Sequence, residues 1–520
     1  MIEKTARGWQ KSLGKEISRN KLLYFLLFLV LALGFFFRVY RTDEILGFYY
    51  DQGRDGLVIW DFLHKGKLFL IGPTTGIEGI FRGPWYYWLI APFYFFGGGD
   101  PVWPAVFLAF TTIVATILAY YFGTLISGRL TGFVAAVISA FSFFFIVGAR
   151  WLSNPTPMFL ISMLFVCSLF LIMTGKRWAW IAVGFFLGMA MQFGSAAEIF
   201  YFPVVLGFAV WLASRSGQRR NLPSLRVLVV ALAAFVVAFL PQIVFDLKHD
   251  GVLSVAIKKF LFSGESFKLS FWEIVKVRSL FYFTTFSAKL FPTNSELREI
   301  FGWFLIPIFL INIKSLFRNS RFVLVLALLV TPMVGMFFFQ GNYKNVYDYY
   351  FTGYYLIFVL VFSVILTSFG KREITKLLVG LFLVFFLFDN LSMVKKLIYT
   401  DVNRETSIVL GSQLQAITWV FNNSRGELFN VDVYVPPVIP WAYDYLFLWQ
   451  ANRRCGQNLC QMQMVEQAPL LYTLYEIDPP HPERLEAWLE RQRGIGKVED
   501  RIKFGGITVE RRTRLVNVQE

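Results

Sequence analysis

Long apolar runs constrain the fold of this chain more than any other feature of its sequence. Of its 520 residues, 56% are hydrophobic and only 16% are charged, whereas about a quarter of the residues in a soluble domain are charged. The apolar residues gather into runs of about 20, the length that a helix needs to cross a bilayer. We therefore expect a polytopic α-helical membrane protein with about eleven transmembrane helices. The predicted spans are 22–39, 103–125, 131–149, 156–174, 178–194, 198–214, 226–246, 300–314, 321–339, 351–369 and 376–394.

Lysine and arginine predict the orientation of these helices. Cytoplasmic loops of membrane proteins are enriched in both, and here the N-terminus and every second loop are short and basic. We expect a multi-pass plasma-membrane protein with a cytoplasmic N-terminus, whose first span is an uncleaved signal anchor. The net charge of +16 is then mainly topogenic. Nucleic-acid binding is not expected, because no soluble segment combines a basic face with interleaved aromatic residues.

The chain divides into two predicted regions. Residues 1–395 form a transmembrane domain, whose first extracytoplasmic loop covers 40–102. Residues 396–520 are polar enough to form a small extracytoplasmic α/β domain, and whether Cys455 and Cys460 pair within it is left open. Its predicted elements are helices at 405–421 and 482–493 and a strand at 428–435.

The first extracytoplasmic loop contains an apolar stretch, 83–96, that is too short to span a bilayer. It is rich in Trp and Tyr, which favour the membrane interface, so we expect a helix lying along the outer membrane surface. The same loop carries charged residues, which this helix would place at the lipid–water boundary, where lipid phosphates lie. These residues are Asp51, Arg54, Asp55, Glu78 and Arg82.

Charged residues at that boundary suggest group transfer from a lipid-phosphate donor. The planar guanidinium groups of Arg54 and Arg82 match phosphate oxygens, and Asp51 or Asp55 can accept a proton from an acceptor hydroxyl. Taken singly, each residue is also explained as solvated surface, and Asp51 with Arg54 as a local ion pair. The aromatic helix beside them favours a catalytic interpretation for Asp51.

Other polar residues lie near predicted outer ends of spans. Arg150 can hold a phosphate or simply reach the interface by snorkelling. Glu198, with Gln192, is expected in a solvated turn. The candidates for a substrate groove are Asn154, Glu78, Tyr347 and Asp348.

Tyr347 and Asp348 belong to a tyrosine-rich loop whose rings can stack on sugars or form an interfacial aromatic belt. The three histidines are scattered along the chain, so no zinc cluster is visible. Glycine-rich phosphate loops, dinucleotide fingerprints and catalytic triad motifs are also missing from the sequence. We therefore expect no metal site and no cofactor.

Three motifs of the first loop carry a resemblance to a known family. They are Asp-Gln-Gly-Arg-Asp-Gly at 51–56, Leu-Ile-Gly-Pro-Thr at 70–74 and Gly-Pro-Trp-Tyr-Tyr at 83–87. Together with the order of spans, they resemble the GT-C glycosyltransferases of the protein O-mannosyltransferase and aminoarabinose transferase superfamily, which includes glycosyltransferase family 39. The layout of most of the chain is similar, but the motif resemblance is confined to 49–193.

The resemblance implies a membrane glycosyltransferase. Its donor would be a polyprenyl-phosphate-linked hexose or pentose. Transfer would occur on the outer face of the bilayer, with inversion at the anomeric carbon, to a protein, lipid or glycan acceptor and without a metal cofactor.

The resemblance also implies roles for particular residues. Asp51 matches the family's first-loop carboxylate and would be the base, and Arg150 matches an arginine that meets the lipid phosphate. Arg54 lies where further phosphate contacts are expected, as does Arg82. Many members have an acid at the position of Asn154. The chain departs from the family there, and Asp55 is a possible substitute.

Two functions of other classes stay open. A secondary transporter would show internal repeats and polar sites near the bilayer midplane, whereas the candidates here lie at the outer ends of spans. A non-catalytic membrane scaffold with the same fold can be distinguished only by an activity measurement.

Overall fold

A computed structural model describes residues 14–75, 79–262, 270–339, 345–369, 372–436 and 439–515. These residues are mostly helical, with one small sheet near the C-terminus. The helices are α1 (Lys21–Val39), α2 (Thr42–Ile45), α3 (Tyr50–Lys65), α4 (Trp85–Phe96), α5 (Val102–Ser127), α6 (Arg129–Phe141), α7 (Phe143–Arg150), α8 (Met158–Met173), α9 (Ala179–Phe193), α10 (Tyr201–Ser214), α11 (Leu225–Val237), α12 (Leu240–Lys248), α13 (Val252–Phe262), α14 (Phe271–Ala288), α15 (Ser295–Arg318), α16 (Ser320–Phe337), α17 (Tyr355–Thr367), α18 (Arg372–Ile398), α19 (Leu410–Asn423), α20 (Trp441–Cys455) and α21 (Pro482–Ile495). Short 3-10 helices cover Ala196–Phe200, Arg219–Asn221, Asp348–Tyr354 and Gly456–Gln461.

Every predicted span falls on a helix or on a bent pair of helices. Among the described residues, 7 helices are long and apolar enough to cross a membrane, or up to 9 if the bent pairs α6–α7 and α11–α12 each count as one. The remaining predicted spans correspond to α8, with 16 residues, and α9, with 15. The polytopic helical fold is therefore confirmed, whereas the number of eleven membrane crossings stays a prediction.

The bundle is packed around the candidate span Asp348–Thr367, which ends in α17 and is 78% buried over its apolar part, while α1 is only 22% buried. Small residues allow neighbouring helices to approach closely. A Cβ at Gly123 of α5 would lie 2.8 Å from the Cα of Gly132 in α6. Larger side chains would push these two helices apart.

One arginine lies inside the bundle and is satisfied without a carboxylate. Arg38 of α1 donates to the carbonyls of Gly34, Ser139 and Ala140 over 2.7–2.8 Å, and to Thr112 Oγ1 over 2.9 Å. A charged group in an apolar bundle requires such partners. These bonds tie α1 to α5 and α6.

The described C-terminal residues contain a four-stranded sheet of order β1–β2–β4–β3. β1 and β2 are parallel, and the other two pairs are antiparallel. The strands are β1 (Phe429–Tyr434), β2 (Leu470–Glu476), β3 (Gly496–Phe504) and β4 (Ile507–Arg514). We call residues 410–515, which hold this sheet and α19 to α21, the C-terminal unit.

The predicted elements of this unit are present. The strand expected at 428–435 is β1, and the two expected helices are α19 and α21. The question left open for its cysteines is answered, because Cys455 and Cys460 form a disulfide. The division of the chain into a domain at 1–395 and another at 396–520 stays a prediction.

The first loop folds against the bundle and the C-terminal unit. The apolar stretch at 83–96 forms α4, whose buried face includes Tyr86, Tyr87 and Tyr94. Three of its aromatic side chains, Trp88, Phe95 and Phe96, are exposed. We call the end of the bundle at which this loop lies the site end.

Candidate active site

The N-terminus of α3 presents Asp51. The backbone N–H of Tyr49 donates to Gln52 Oε1 over 3.0 Å, which caps the helix, and Gln52 Nε2 donates to the carbonyl of Leu152 over 3.1 Å. These bonds fix the first turn of α3 against the bundle. Asp51 lies in that turn, where the helix dipole favours negative charge, and its side chain is 63% exposed.

Arg54 links Asp51 to a buried second carboxylate. Its Nη1 lies 2.9 Å from Asp51 Oδ1, and its Nη2 lies 2.8 Å from Asp55 Oδ1. The local ion pair of Asp51 with Arg54, one interpretation of the sequence, is therefore present. Tyr87 of α4 donates to Asp55 Oδ1 over 2.8 Å, and Arg54 Nη1 donates to Thr74 Oγ1 over 3.1 Å. Asp55 thus fixes Arg54 from within the protein, and Arg54 fixes Asp51.

Burial and pairing set the charges of this cluster. Burial raises the pKa of Asp55 to about 6, against the lowering effects of Arg54 and Tyr87. Burial alone would lower the pKa of Arg54, but the adjacent Asp55 holds it above its ordinary value. At neutral pH the Arg54–Asp55 pair is therefore ionised, and Asp51 is the carboxylate that solvent reaches.

A hairpin whose described residues, 72–75 and 80–82, pair with each other connects Arg54 to Arg82. The N–H of Gly72 donates to the carbonyl of Arg82 over 2.7 Å, and the N–H of Arg82 donates to that of Pro73 over 3.1 Å. Thr74, the partner of Arg54, lies on the first strand of this hairpin. The two arginines are thus held by one short element.

The Arg82 side chain is half-buried beneath the hairpin. Its guanidinium donates to the carbonyl of Gly194. Burial lowers the pKa of Arg82, while the charge of Glu198 opposes this, with smaller contributions from Tyr349 and Tyr350. Arg82 is therefore a fixed cation beside residues 347–350, which we call the tyrosine-rich turn.

The expectation of a solvated turn at Glu198 and Gln192 is wrong, because both residues are buried. Glu198 Oε2 accepts the N–H of Ser195 over 2.6 Å and so caps the 3-10 helix that follows. Gln192 Oε1 accepts the N–H of Gly83, and its Nε2 donates to Gln242 Oε1, each over 2.7 Å. Both side chains accept hydrogen bonds from backbone N–H groups at the site end. The local sequence pattern does not reveal these bonds.

Arg150 and Asn154 lie at helix ends. Arg150 Nη1 donates to the carbonyls of Phe37, Arg38 and Tyr40 over 3.0–3.2 Å, at the end of α1. Asn154 Nδ2 donates to two carbonyls at the end of α9 over 3.0 and 3.3 Å. Arg150 Nη2 and Asn154 Oδ1 are buried without a hydrogen bond. Both residues hold backbone together, and their predicted roles toward substrate stay predictions.

The tyrosine-rich turn offers exposed rings. Tyr347 and Tyr349 stack with ring centroids 5.6 Å apart, and both are nearly half exposed. Asp348 between them is also exposed at its side chain. Glu78, the remaining groove candidate, lies outside the described residues.

Lys289 is a site-end cation that the sequence interpretation missed. Its ammonium lies 3.3 Å from Asp348 Oδ2 and 4.4 Å from the ring centroids of Phe144 and Tyr355. Ser142 Oγ donates to its carbonyl over 2.7 Å. Burial lowers the pKa of Lys289, and Asp348 partly offsets this. A lysine in a predicted outer loop is an exception to the positive-inside rule. Lys258 and Lys259 lie in the same predicted loop, so this exception alone only weakly indicates a functional role for Lys289.

Tyr87 and Thr74 were also missed as members of the cluster. Each lies in a motif that was noted for another reason, the aromatic helix and the loop before it. Only the three-dimensional structure shows that Tyr87 donates to Asp55 and that Thr74 accepts from Arg54. Within the ranges that the structure describes, no group of three or more His, Cys, Asp or Glu residues is placed to hold a metal ion.

Comparisons with known proteins place this site in a known fold. Residues 82–240 match the family model described as dolichyl-phosphate-mannose-protein mannosyltransferase. The structure is similar to apo ArnT from Cupriavidus metallidurans, with a TM-score of 0.60 and 10% identity, over 95% of this chain and 98% of that one. The same protein bound to undecaprenyl phosphate matches with a TM-score of 0.56 and 10% identity, over 94% and 97% of the two chains. No curated protein sequence matches the chain.

These similarities establish the GT-C fold, which the resemblance predicted. The family match covers less than half of the chain and includes Arg82, Arg150 and Asn154, but it begins after Asp51. The site residues therefore rest on their geometry.

Proposed function

We propose that this GT-C protein is an inverting membrane glycosyltransferase whose donor is a sugar linked to polyprenyl phosphate. The observation that carries the proposal is the Asp51–Arg54–Asp55 cluster. It places the exposed carboxylate of Asp51 beside Arg54. The buried carboxylate of Asp55 pairs with Arg54 and accepts a hydrogen bond from Tyr87. A proton acceptor and an anion-binding group are thus fixed within contact distance, as transfer from a phosphate requires.

Arg54 is proposed to bind the donor phosphate, with Arg82 and Arg150. Arg54 suits this role because Asp55 keeps its guanidinium in place while Nη1 points toward the exposed side. A phosphate that takes Nη1 would displace Asp51 and leave its carboxylate free to accept a proton. Arg150 would contribute Nη2, the nitrogen without a hydrogen bond in the protein. Arg82 would contribute positive charge from the other end of the hairpin.

The reaction is proposed as a single displacement. The acceptor oxygen or nitrogen attacks the anomeric carbon, and Asp51 takes the acceptor's proton. The bond from that carbon to the phosphate oxygen breaks, and its electron pair leaves with polyprenyl phosphate. The arginines stabilise the negative charge on this leaving group. Asp55, which is only 6% exposed at its side chain, acts as a positioning residue for Arg54.

The sugar is proposed to lie between Asp51 and the tyrosine-rich turn. The exposed rings of Tyr347 and Tyr349 offer apolar faces for a pyranose, and Asp348 offers a hydroxyl acceptor. The site end is proposed to face the outside of the cell, as the basic loops predict. The acceptor class, whether protein, lipid or glycan, is left to the activity measurement.

The purified protein tests this proposal with defined donors. Undecaprenyl-phosphate mannose and undecaprenyl-phosphate aminoarabinose are incubated with the protein and a membrane extract as acceptor source. Mass spectrometry follows release of undecaprenyl phosphate and transfer of the sugar. We expect protein-dependent release from at least one donor. Binding of undecaprenyl phosphate but not undecaprenol is the matched control for phosphate recognition. Failure of both donors, with no preference for the phosphate, would favour a scaffold.

A further inference from the structure

The segment that leads into Asp51 is held by the C-terminal unit rather than by the bundle alone. Residues 46–49 run along the start of α19 before α3 begins. Phe48 is fully buried in this contact. Two hydrogen bonds join the two segments: Leu410 N–H to the Leu46 carbonyl (2.9 Å) and Gln413 Nε2 to the Phe48 carbonyl (2.9 Å). A third runs from Tyr49 Oη to the carbonyl of Ile408, two residues before α19 (3.0 Å).

The residues that follow Asp51 also meet this unit. A Cβ at Gly53 would overlap the backbone of Trp441 and Ala442, at the start of α20. At Gly56, one turn later, a Cβ would lie 2.9 Å from the ring of Tyr445. α3 and α20 are therefore in backbone contact next to the proposed base. The C-terminal unit therefore contacts the chain both before and after Asp51.

A buried polar network supports these contacts. Tyr443 of α20 donates to Glu476 Oε1 over 2.9 Å, and Gln413 of α19 lies against both side chains. All three residues are buried, and burial raises the pKa of Glu476 to about 7. Gln413 in turn holds the Phe48 carbonyl. The network thus runs from the sheet to the backbone three residues before Asp51.

Burying such a polar network costs desolvation free energy, which its own hydrogen bonds must offset. A buried carboxyl is stabilised only when its hydrogen bonds are made, and an apolar replacement of the same shape is often neutral or more stable. A polar network does, however, fix one arrangement of the elements that it joins. Here it joins the sheet, α19, α20 and the segment that carries Asp51.

We propose that Glu476, Tyr443 and Gln413 are positioning residues that set the place of Asp51 in the active site. The C-terminal unit is then a working part of the catalytic centre. This inference rests on the proposed function, because it needs Asp51 to act on substrate. A displacement of about 1 Å at a reacting group can cost up to about a hundredfold in rate.

A matched pair of variants tests the inference. Tyr443→Phe removes the bond to Glu476, while Tyr472→Phe removes the hydroxyl of another buried tyrosine in the same unit. Tyr472 donates to Asn423 Oδ1 over 2.6 Å and accepts from Arg511 Nη1 over 3.1 Å, and neither partner belongs to 46–53. We expect Tyr443→Phe to lower kcat about tenfold with the donor KM unchanged. Tyr472→Phe should keep kcat, even where both variants lose similar thermal stability.

Two further readouts separate positioning from a general loss of folding. Amide hydrogen exchange of 46–53 should speed up about tenfold in Tyr443→Phe and stay unchanged in Tyr472→Phe. Glu476→Gln, which keeps an acceptor for Tyr443, should retain most turnover, whereas Glu476→Leu should not.

The outcomes are distinct. Equal kcat in both tyrosine variants, or unchanged exchange in 46–53, overturns the positioning role even when Asp51→Asn is inactive. If Asp51→Asn keeps full turnover, the proposed function fails first, and the inference fails with it. If kcat falls in both tyrosine variants in proportion to lost folded protein, the network is merely structural.

Discussion

At the scale of single residues, the candidate site is an exposed carboxylate supported by two layers of partners. Asp51 is paired with Arg54, and Arg54 with Asp55, whose remaining partner is Tyr87. Solvent exposure of the charged side chains decreases from Asp51 through Arg54 to Asp55. Asp51 is therefore the residue that can react with substrate, and the other two orient it. Variants of the cluster should therefore separate turnover from binding and from stability.

Arginine variants test the phosphate contacts. Arg54→Ala, Arg82→Ala and Arg150→Ala should each weaken undecaprenyl phosphate binding about tenfold or more, because each removes a charge-assisted hydrogen bond. Lysine at the same positions should rescue only part of the affinity, since it lacks the planar fork. Affinity is measured on folded protein, because Arg150 also holds the end of α1. A variant with wild-type affinity removes its arginine from the site.

The pH dependence of stability tests the burial of Asp55. Its pKa in the folded protein, about 6, lies above its ordinary value of 3.8. The folded state therefore binds this proton more tightly, and stability is lost as pH rises from about 4 through 6. Relative to Asp55→Asn, the wild type should lose about 3 kcal/mol over that range. Thermal unfolding at pH 4, 5, 6 and 7 measures it, and parallel curves would contradict the assigned burial.

At the scale of elements, the sequence predicted the helices better than their contacts. The predicted spans coincide with helices because length and apolarity decide membrane crossing. Asp51, Arg54 and Asp55 were identified because their order along α3 is local. Lys289, Tyr443 and Gln413 were not, since the partner of each lies more than thirty positions away. Burial of Glu198 likewise depends on long-range packing that no local pattern records.

The contact between α3 and α20 predicts a clear difference between two glycines. Gly53→Ala should destabilise the protein by about 1–3 kcal/mol and lower turnover, because the new Cβ has no space against α20. Gly207→Ala is the control, since Gly207 is also helical but has nothing within 4 Å of a Cβ. It should be neutral or slightly stabilising. Equal melting temperatures for the two variants would show that α3 and α20 are not in close contact.

At the scale of the whole molecule, the GT-C fold joins a helical bundle to a small sheet through the first loop. The site end collects residues from that loop, from the ends of the bundle helices and from the tyrosine-rich turn. The C-terminal unit covers the same end, because α20 packs on α3. If this end is outside the cell, donor, acceptor and catalytic groups share one side of the membrane.

A reporter fusion tests this orientation. A domain that is active only in the cytoplasm, fused after Glu520, should be silent, because the basic loops predict an extracytoplasmic C-terminus. The same reporter fused before Met1 is the positive control. Strong activity of the C-terminal fusion would place the site end in the cytoplasm and remove the proposed extracytoplasmic reaction.

Turnover of Asp51→Asn tests the central claim most directly. The variant keeps the size of the side chain but cannot take the acceptor's proton. The account predicts a loss of about 10²–10⁴-fold in kcat, with undecaprenyl phosphate affinity retained and the protein folded. Asp55→Asn, which shares the helix and the arginine, should lose less turnover. Near-normal turnover in Asp51→Asn would contradict the account.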